Sequence, residues 1–151
     1  MKFAILHLSD IHIKNTENHV FDKVNEIINS IKNKLFDEKF LFIVTTGDIA
    51  NTGNNQEYNE AINFYKKLEE ELAIYLKDLS IKFIFSPGNH DCDFSISNDI
   101  RELVLEKINK DDFEIDNIKK DYISNCVSVQ ENYFNFKSEL EDKSAIYEPL
   151  N

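Results

Sequence analysis

The 151-residue chain is 42% apolar and holds twelve Phe and six Tyr, which suffices for one domain with a sizeable core. Only three Gly and two Pro exclude a low-complexity or collagen-like chain. A formal net charge of −11 disfavours a stand-alone binder of duplex nucleic acid, whose phosphates it would repel. The plainer meaning of that charge is solubility, and bound divalent cations would offset part of it locally.

The first apolar run, FAILHLSDIH (3–12), reads as a buried strand that stops at a polar tip. Phe21, Val24, Ile28, Ile31 and Leu35 then recur at spacings of three and four, which predicts an amphipathic helix within 19–39. FLFIVTTGD (40–48) is a second strand with a polar tip. Tyr58, Ile62, Tyr65, Leu68, Leu72, Tyr75 and Leu79 predict a second helix, with Asn54 or Asn55 as N-cap and Glu57 in its first turn. IKFIFSPGNHD (81–91) is the third strand. Continuous apolar runs mark parallel strands covered on both faces. The alternation of strand and helix predicts an α/β fold, a parallel βαβαβ sheet with right-handed crossovers, followed by helices.

Beyond Asp93 the chain changes character. Ile100, Leu103, Val104 and Ile108 predict a helix capped by Ser97 or Asn98. Cys126, Val129, Tyr133, Phe136 and Leu140 predict another, a packing stripe rather than a cofactor box. Residues 109–121 are charge-rich and read as a connection or a short helix, and the tail past Pro149 shows no element. The expected organisation is a metal-binding core over residues 1–95 and a helical extension or insertion over 96–151. Cys92 and Cys126 are too few for a disulfide framework and read as inert free thiols of a reducing compartment. No signal-peptide pattern or membrane-length apolar run is present, so the expected location is cytoplasmic, with no membrane partner.

In open α/β sheets ligands bind beyond the carboxyl ends of the strands. Asp10, His12, Asp48, Asn89 and His90 all fall there. A cluster of oxygen and nitrogen donors from separate strands is the chemistry of a metal site. Asp10 and His12, two apart on an extended segment, point to the same side and can share one ion. Asp48, on the middle run, suits a bridge between two ions ~3.5–4 Å apart, an arrangement that polarises a phosphoryl oxygen and lowers the pKa of a shared water. Asn89 offers a neutral amide oxygen. His90 is placed to stabilise transition-state charge or protonate a leaving oxygen, with Asp91 accepting its other N–H. Gly47 and Gly88 precede two of these tips, where the backbone must turn sharply or approach a ligand closely. His7 reads as a hydrogen-bonded core histidine and His19 as a surface residue opening a helix.

SDIH (9–12), GDIA (47–50) and PGNHD (87–91), in this order and at strand ends, resemble the first three signature motifs of the calcineurin-like metallophosphoesterases. The flanking LHLSD and FSPGNHD are most similar to the bacterial phosphohydrolase and cyclic-nucleotide phosphodiesterase branch. The resemblance covers residues 3–95. It implies the N-terminal half of a four-layer αββα sandwich. Asp10 and His12 would bind a first metal, Asp48 would bridge, and Asn89 would bind a second. His90 would assist the transition state, with Asp91 behind it. It implies two divalent ions, manganese first, with iron or zinc as alternatives.

The resemblance also calls for a later His, then a Gly-His and a Gly-His-x-His pair. No histidine follows His90. The expectation is therefore a phosphoester hydrolase, acting on a phosphate ester such as a nucleotide, of which this chain is an incomplete piece with weak metal binding and little or no activity. An apolar sheet face would be left by the missing half, covered by a second copy or by the C-terminal helices. The alternatives are a non-catalytic interaction module of the same fold and the nuclease domain of a larger protein, the latter needing a basic surface that this segment lacks.

Overall fold

A computed structural model describes residues 2–15, 19–35, 37–75, 79–110 and 119–141. Among them, three strands form one parallel sheet in chain order: β1 (Phe3–Leu8), β2 (Phe40–Thr46) and β3 (Ser80–Ser86). The register sets Leu6 beside Ile43 and Ile43 beside Phe83, so this rung carries three apolar side chains to the same face. The helices α1 (Val24–Ile31) and α2 (Asn55–Tyr75) link successive strands and touch each other, as expected when both connections cross one face.

That face holds the core. Val24 and Ile28 of α1 are buried, as are Tyr58, Ala61, Phe64, Tyr65, Leu68 and Leu72 of α2, together with Leu41, Ile43, Phe83 and Phe85 of the sheet. Tyr65 is fully buried; its hydroxyl lies 2.8 Å from the Thr45 Oγ1, so each satisfies the other away from water. Asn54 caps α2 by accepting the Glu57 N–H at 3.0 Å, which selects one of the two caps the sequence allows. The Glu57 carboxylate reaches back to the Thr52 N–H and hydroxyl, closing the turn that leads into the helix.

Helix periodicity overshoots the real ends. The first predicted helix is a 3-10 turn (His19–Lys23) running into α1, and Leu35 packs on the core from beyond it. Tyr75 ends α2 and is 55% exposed, so the apolar stripe stops at Leu72. The stripe 126–140 is divided among α4 (Lys120–Val127), a 3-10 turn (Ser128–Gln130) and α5 (Glu131–Leu140). α3 (Asp99–Asn109), capped by Asn98 on the Arg101 N–H, pairs with α4; of its predicted apolar positions only Val104 is buried. Most of the charge-rich connection, residues 111–118, and the tail from 142 lie outside the described residues.

α5 packs on α2 and drives Tyr133 and Phe136 into the same core, with the Phe136 and Phe85 rings 4.8 Å apart. It therefore adds to the covered side. The other sheet face carries Phe3, Ile5, Phe42, Val44 and Ile84, and Phe3 and Ile5 are 56% and 60% exposed. The expectation of strands covered on both faces is corrected here: burial along β2 alternates between full and partial, because the helices that build the core, α1, α2 and α5, cover one side. A parallel sheet with one helical layer and one apolar face left open is half of an αββα layering. Among the described residues no helix is long and apolar enough to cross a membrane.

Candidate metal centre

The three strand ends converge. After β1 the chain runs beside the segment that follows β2: the Asp10 N–H reaches the Gly47 carbonyl at 3.3 Å, the His12 N–H the Asp48 carbonyl at 2.9 Å, and the Ile13 N–H the Ile49 carbonyl at 2.8 Å. Gly47 is tied in turn to β3 through the Ser86 carbonyl at 2.9 Å. Asp10, His12 and Asp48 each offer a ligand atom, and these atoms lie within 4.8 Å of one another. Two carboxylates and an imidazole at that separation suit a divalent cation of hard or borderline character.

The backbone there is not extended. Asp10, His12 and Asp48 have φ of 54°, 51° and 53°, and they are the described non-glycine residues with positive φ. Left-handed backbone costs about 1–2 kcal/mol per residue, although Asp and His tolerate it better than most. Strained residues cluster at ligand-binding and active sites, and here the three are also the ones whose side chains meet. The sequence reading had Asp10 and His12 converge because residues two apart on a strand share a side. They do converge, but past the end of β1 and through two left-handed residues.

The third tip closes over this cluster. The His90 N–H donates to Asp48 Oδ1 at 3.0 Å, and the His12 and His90 rings meet edge to face with centroids 4.7 Å apart. A Cβ on Gly88 would collide with the Asp48 carboxylate and lie 2.6 Å from its backbone nitrogen, so only glycine lets the third tip approach. Asn89 opens the 3-10 turn Asn89–Asp91; it is exposed and lines the same cavity as His90.

Asp91 does not stand behind the His90 imidazole, and that expectation is corrected. Its fully buried carboxylate accepts the N–H groups of Ile49, Ala50 and Gly88 and the Tyr58 hydroxyl. It clamps the second and third tips together from below. Burial, with the Asp91 charge adding to it, pushes the Tyr58 phenol far above its ordinary value. The partner of the His90 ring is a backbone carbonyl, Asn51 O, 2.8 Å from Nδ1. A carbonyl only accepts, so Nδ1 carries the proton and Nε2 is left as the nitrogen that exchanges one.

Two residues in this support went unnoticed in the sequence. Tyr58 looked like one more apolar position, and nothing in its spacing distinguishes a phenol aimed at a carboxylate. Asn132 of α5 donates to the Gly53 carbonyl at 3.0 Å and to Asp93 Oδ2 at 3.3 Å, joining the loops that flank the site. His7, expected in the core, is instead exposed on the open sheet face, 2.7 Å from Thr46 Oγ1. His19 is exposed beside Asp22. Cys92 and Cys126 are free thiols.

A parallel sheet whose carboxyl edge gathers two carboxylates and an imidazole is an α/β domain with a candidate metal site. The chain belongs to the calcineurin-like phosphoesterase family, whose pattern it matches over residues 3–147. It is also similar to an uncharacterized protein of Acanthamoeba polyphaga mimivirus, 32% identical over 102 residues. That stretch covers 62% of this chain and 7% of the length of that protein.

Proposed function

We propose that this chain supplies the first-three-motif half of a dinuclear metal centre in a phosphoester hydrolase. The observation that carries the reading is the convergence of Asp10, His12 and Asp48 from two strand ends, with His90 laid against them from a third. Asp10 and His12 would hold one ion and Asp48 would be shared, with Asn89 toward a second. Manganese is the first choice for a donor set that is mostly oxygen, with iron or zinc as alternatives through the imidazole. When bound, divalent ions polarise a phosphoryl oxygen and acidify water.

The chain's own contribution to the chemistry is orientation and proton handling. Asn51 holds the His90 ring by Nδ1, so Nε2 can donate to a phosphoryl or leaving oxygen when protonated. Asp91 keeps the loops that carry Asp48 and His90 at a fixed separation. All four histidines of the sequence are placed: His12 and His90 at the centre, His7 on the sheet face and His19 at the surface. The two ions would therefore be held incompletely by these 151 residues, which supports weak metal binding and little turnover by this chain alone.

The test is Mn²⁺ titration by calorimetry, with hydrolysis of bis(p-nitrophenyl) phosphate followed in parallel. Binding that is lost in Asp48→Asn is expected, together with slow metal-dependent hydrolysis that falls further in His90→Ala. Mn²⁺ binding that is the same in Asp48→Asn as in the parent chain would end this reading. The open sheet face favours one second reading, an interaction module of the same fold without turnover, which predicts no hydrolysis at any metal concentration.

A further inference from the structure

Two ties join the loops that carry Asp48 and His90, and they fall on opposite sides of the His90 contact. The Asp91 carboxylate joins Ala50 to Gly88, ahead of Asn51 in one loop and ahead of His90 in the other. The Asn132 amide joins Gly53 to Asp93, beyond Asn51 in the first loop and beyond His90 in the second. The contact between the Asn51 carbonyl and His90 Nδ1 lies in the stretch that the two ties bracket. One NH₂ group sends a hydrogen to each loop, an arrangement that neither a hydroxyl nor an ionised carboxylate can reproduce.

The loops run close together where Asn132 joins them. A Cβ on Gly53, whose φ is 72°, would lie 2.6 Å from the Cys92 carbonyl carbon and 2.7 Å from the Asp93 nitrogen. Asp93 is buried; its other oxygen accepts the Ser95 N–H and hydroxyl, and its own N–H reaches the Val129 carbonyl at 2.7 Å. Val129 and Asn132 flank the start of α5, whose Tyr133 and Phe136 are anchored in the core. Core packing therefore reaches the site through one amide. Which nitrogen of a neutral imidazole carries the proton is set by the hydrogen bond the ring makes, so a displaced Asn51 carbonyl would free His90 to change tautomer.

We propose that Asn132 is a positioning residue for His90. By locking the Gly53 and Asp93 stretches together it keeps the Asn51 carbonyl on Nδ1, which holds the proton there and leaves Nε2 as the nitrogen that exchanges one. The helical segment beyond Asp93 is then part of the working site and not an appendage to it. What His90 does with Nε2 rests on the phosphoester reading; its tautomer does not.

The test is nitrogen-15 NMR of the histidine rings in the metal-free full chain at about pH 9, above the ordinary imidazole range. His90 is expected with Nδ1 protonated and Nε2 bare. Asn132→Ala should move both ring nitrogens toward a common, averaged position, as should Asn132→Asp, which keeps the shape but has no N–H to give. Lys137→Ala loosens the other end of α5, where the ammonium reaches the Phe85 carbonyl at 3.4 Å and Glu141 at 3.6 Å, and should leave the His90 signals in place. A parent chain with Nε2 protonated would overturn the proposal, as would signals unchanged in both Asn132 variants. So would an equal change in Lys137→Ala, since any loosening of α5 would then suffice.

Mn²⁺ titration of the same variants separates this role from the phosphoester reading. Asn132→Ala should bind Mn²⁺ within about twofold of the parent chain, because its amide hydrogen-bonds to none of Asp10, His12 and Asp48. A loss of about tenfold or more would overturn the proposal, since Asn132 would then support the ligand cluster. A tautomer that depends on Asn132, with no Mn²⁺ binding in any variant, would support the positioning role while ending the phosphoester reading.

Discussion

The imidazoles of His12 and His90 meet edge to face, 4.7 Å between centroids, although 78 positions separate them in sequence. One ring belongs to the carboxylate–imidazole cluster; the other lies beside it, anchored by the Asn51 carbonyl. The pair therefore divides two tasks between like side chains. His12→Ala should weaken Mn²⁺ binding by about tenfold or more, the scale on which metal sites respond to loss of their supporting groups. His90→Ala should leave that affinity within about twofold and lower hydrolysis by about 10²-fold, the scale of general acid–base assistance. Calorimetry and initial rates on the same preparations read the two effects separately.

Gly88 sits where a side chain has no room. Gly88→Ala puts a methyl group against the Asp48 carboxylate, so Asp48 or the third tip must move. The expected cost is about 1–3 kcal/mol in urea unfolding, the range of overpacked sites, with Mn²⁺ affinity falling at the same time. Unchanged stability and unchanged metal binding would show that the approach of the two tips is looser than the structure has it.

Asp91 is a buried carboxylate met by three backbone N–H groups and one phenol. Asp91→Asn turns an amide NH₂ toward donors and should cost about 3 kcal/mol. Tyr58→Phe removes one of the hydrogen bonds and should cost about 1–2 kcal/mol. In a double-mutant cycle the two effects should fall short of additivity, because they share one interaction.

Alkaline pH should unfold the chain early. Burial raises the phenols of Tyr58 and Tyr65 above their ordinary value. In the unfolded chain these groups lose their protons near pH 10, while the folded chain keeps them. Their contribution is fully present below about pH 10 and declines as pH rises further, by up to about 1.4 kcal/mol per pH unit for each. Urea midpoints measured at pH 9, 10 and 11 should fall steeply, and Tyr65→Phe should flatten that slope.

The open sheet face should be visible to a hydrophobic dye. Phe3, Ile5 and Ile84 are each more than 45% exposed, and Val44 lies beside Ile84 on the same face. Anilinonaphthalene sulfonate fluorescence of the folded chain should drop in Ile5→Lys without loss of secondary structure. Dye binding that ignores Ile5→Lys would place the exposed apolar surface elsewhere.

Much of this was legible in the sequence because it is local. Periodicity marked α1, α2 and α3, and the apolar runs marked all three strands; each signal needs only a few neighbouring residues. The ends were less legible: Leu35, Tyr75 and Leu79 keep the helical spacing but lie at or past the helix ends, since an apolar residue can pack on a core without being helical. The single covered face was hidden as well. A strand rich in Phe, Ile and Leu reads the same whether helices lie on one side or both.

By itself, the sequence determined which residues stand at the strand ends, because strand length and the Gly-Asp and Gly-Asn-His breaks are written in consecutive positions. It determined that carboxylate, imidazole and amide donors are all available there. Only the tertiary structure decided how they are used. The left-handed backbone at Asp10, His12 and Asp48, the Asn51 carbonyl on His90, and the Tyr58 hydroxyl on Asp91 all arise where distant segments touch. A backbone carbonyl has no residue type to betray it, and a tyrosine's hydroxyl leaves no trace in spacing. Such contacts exist only once the sheet has set its strands side by side.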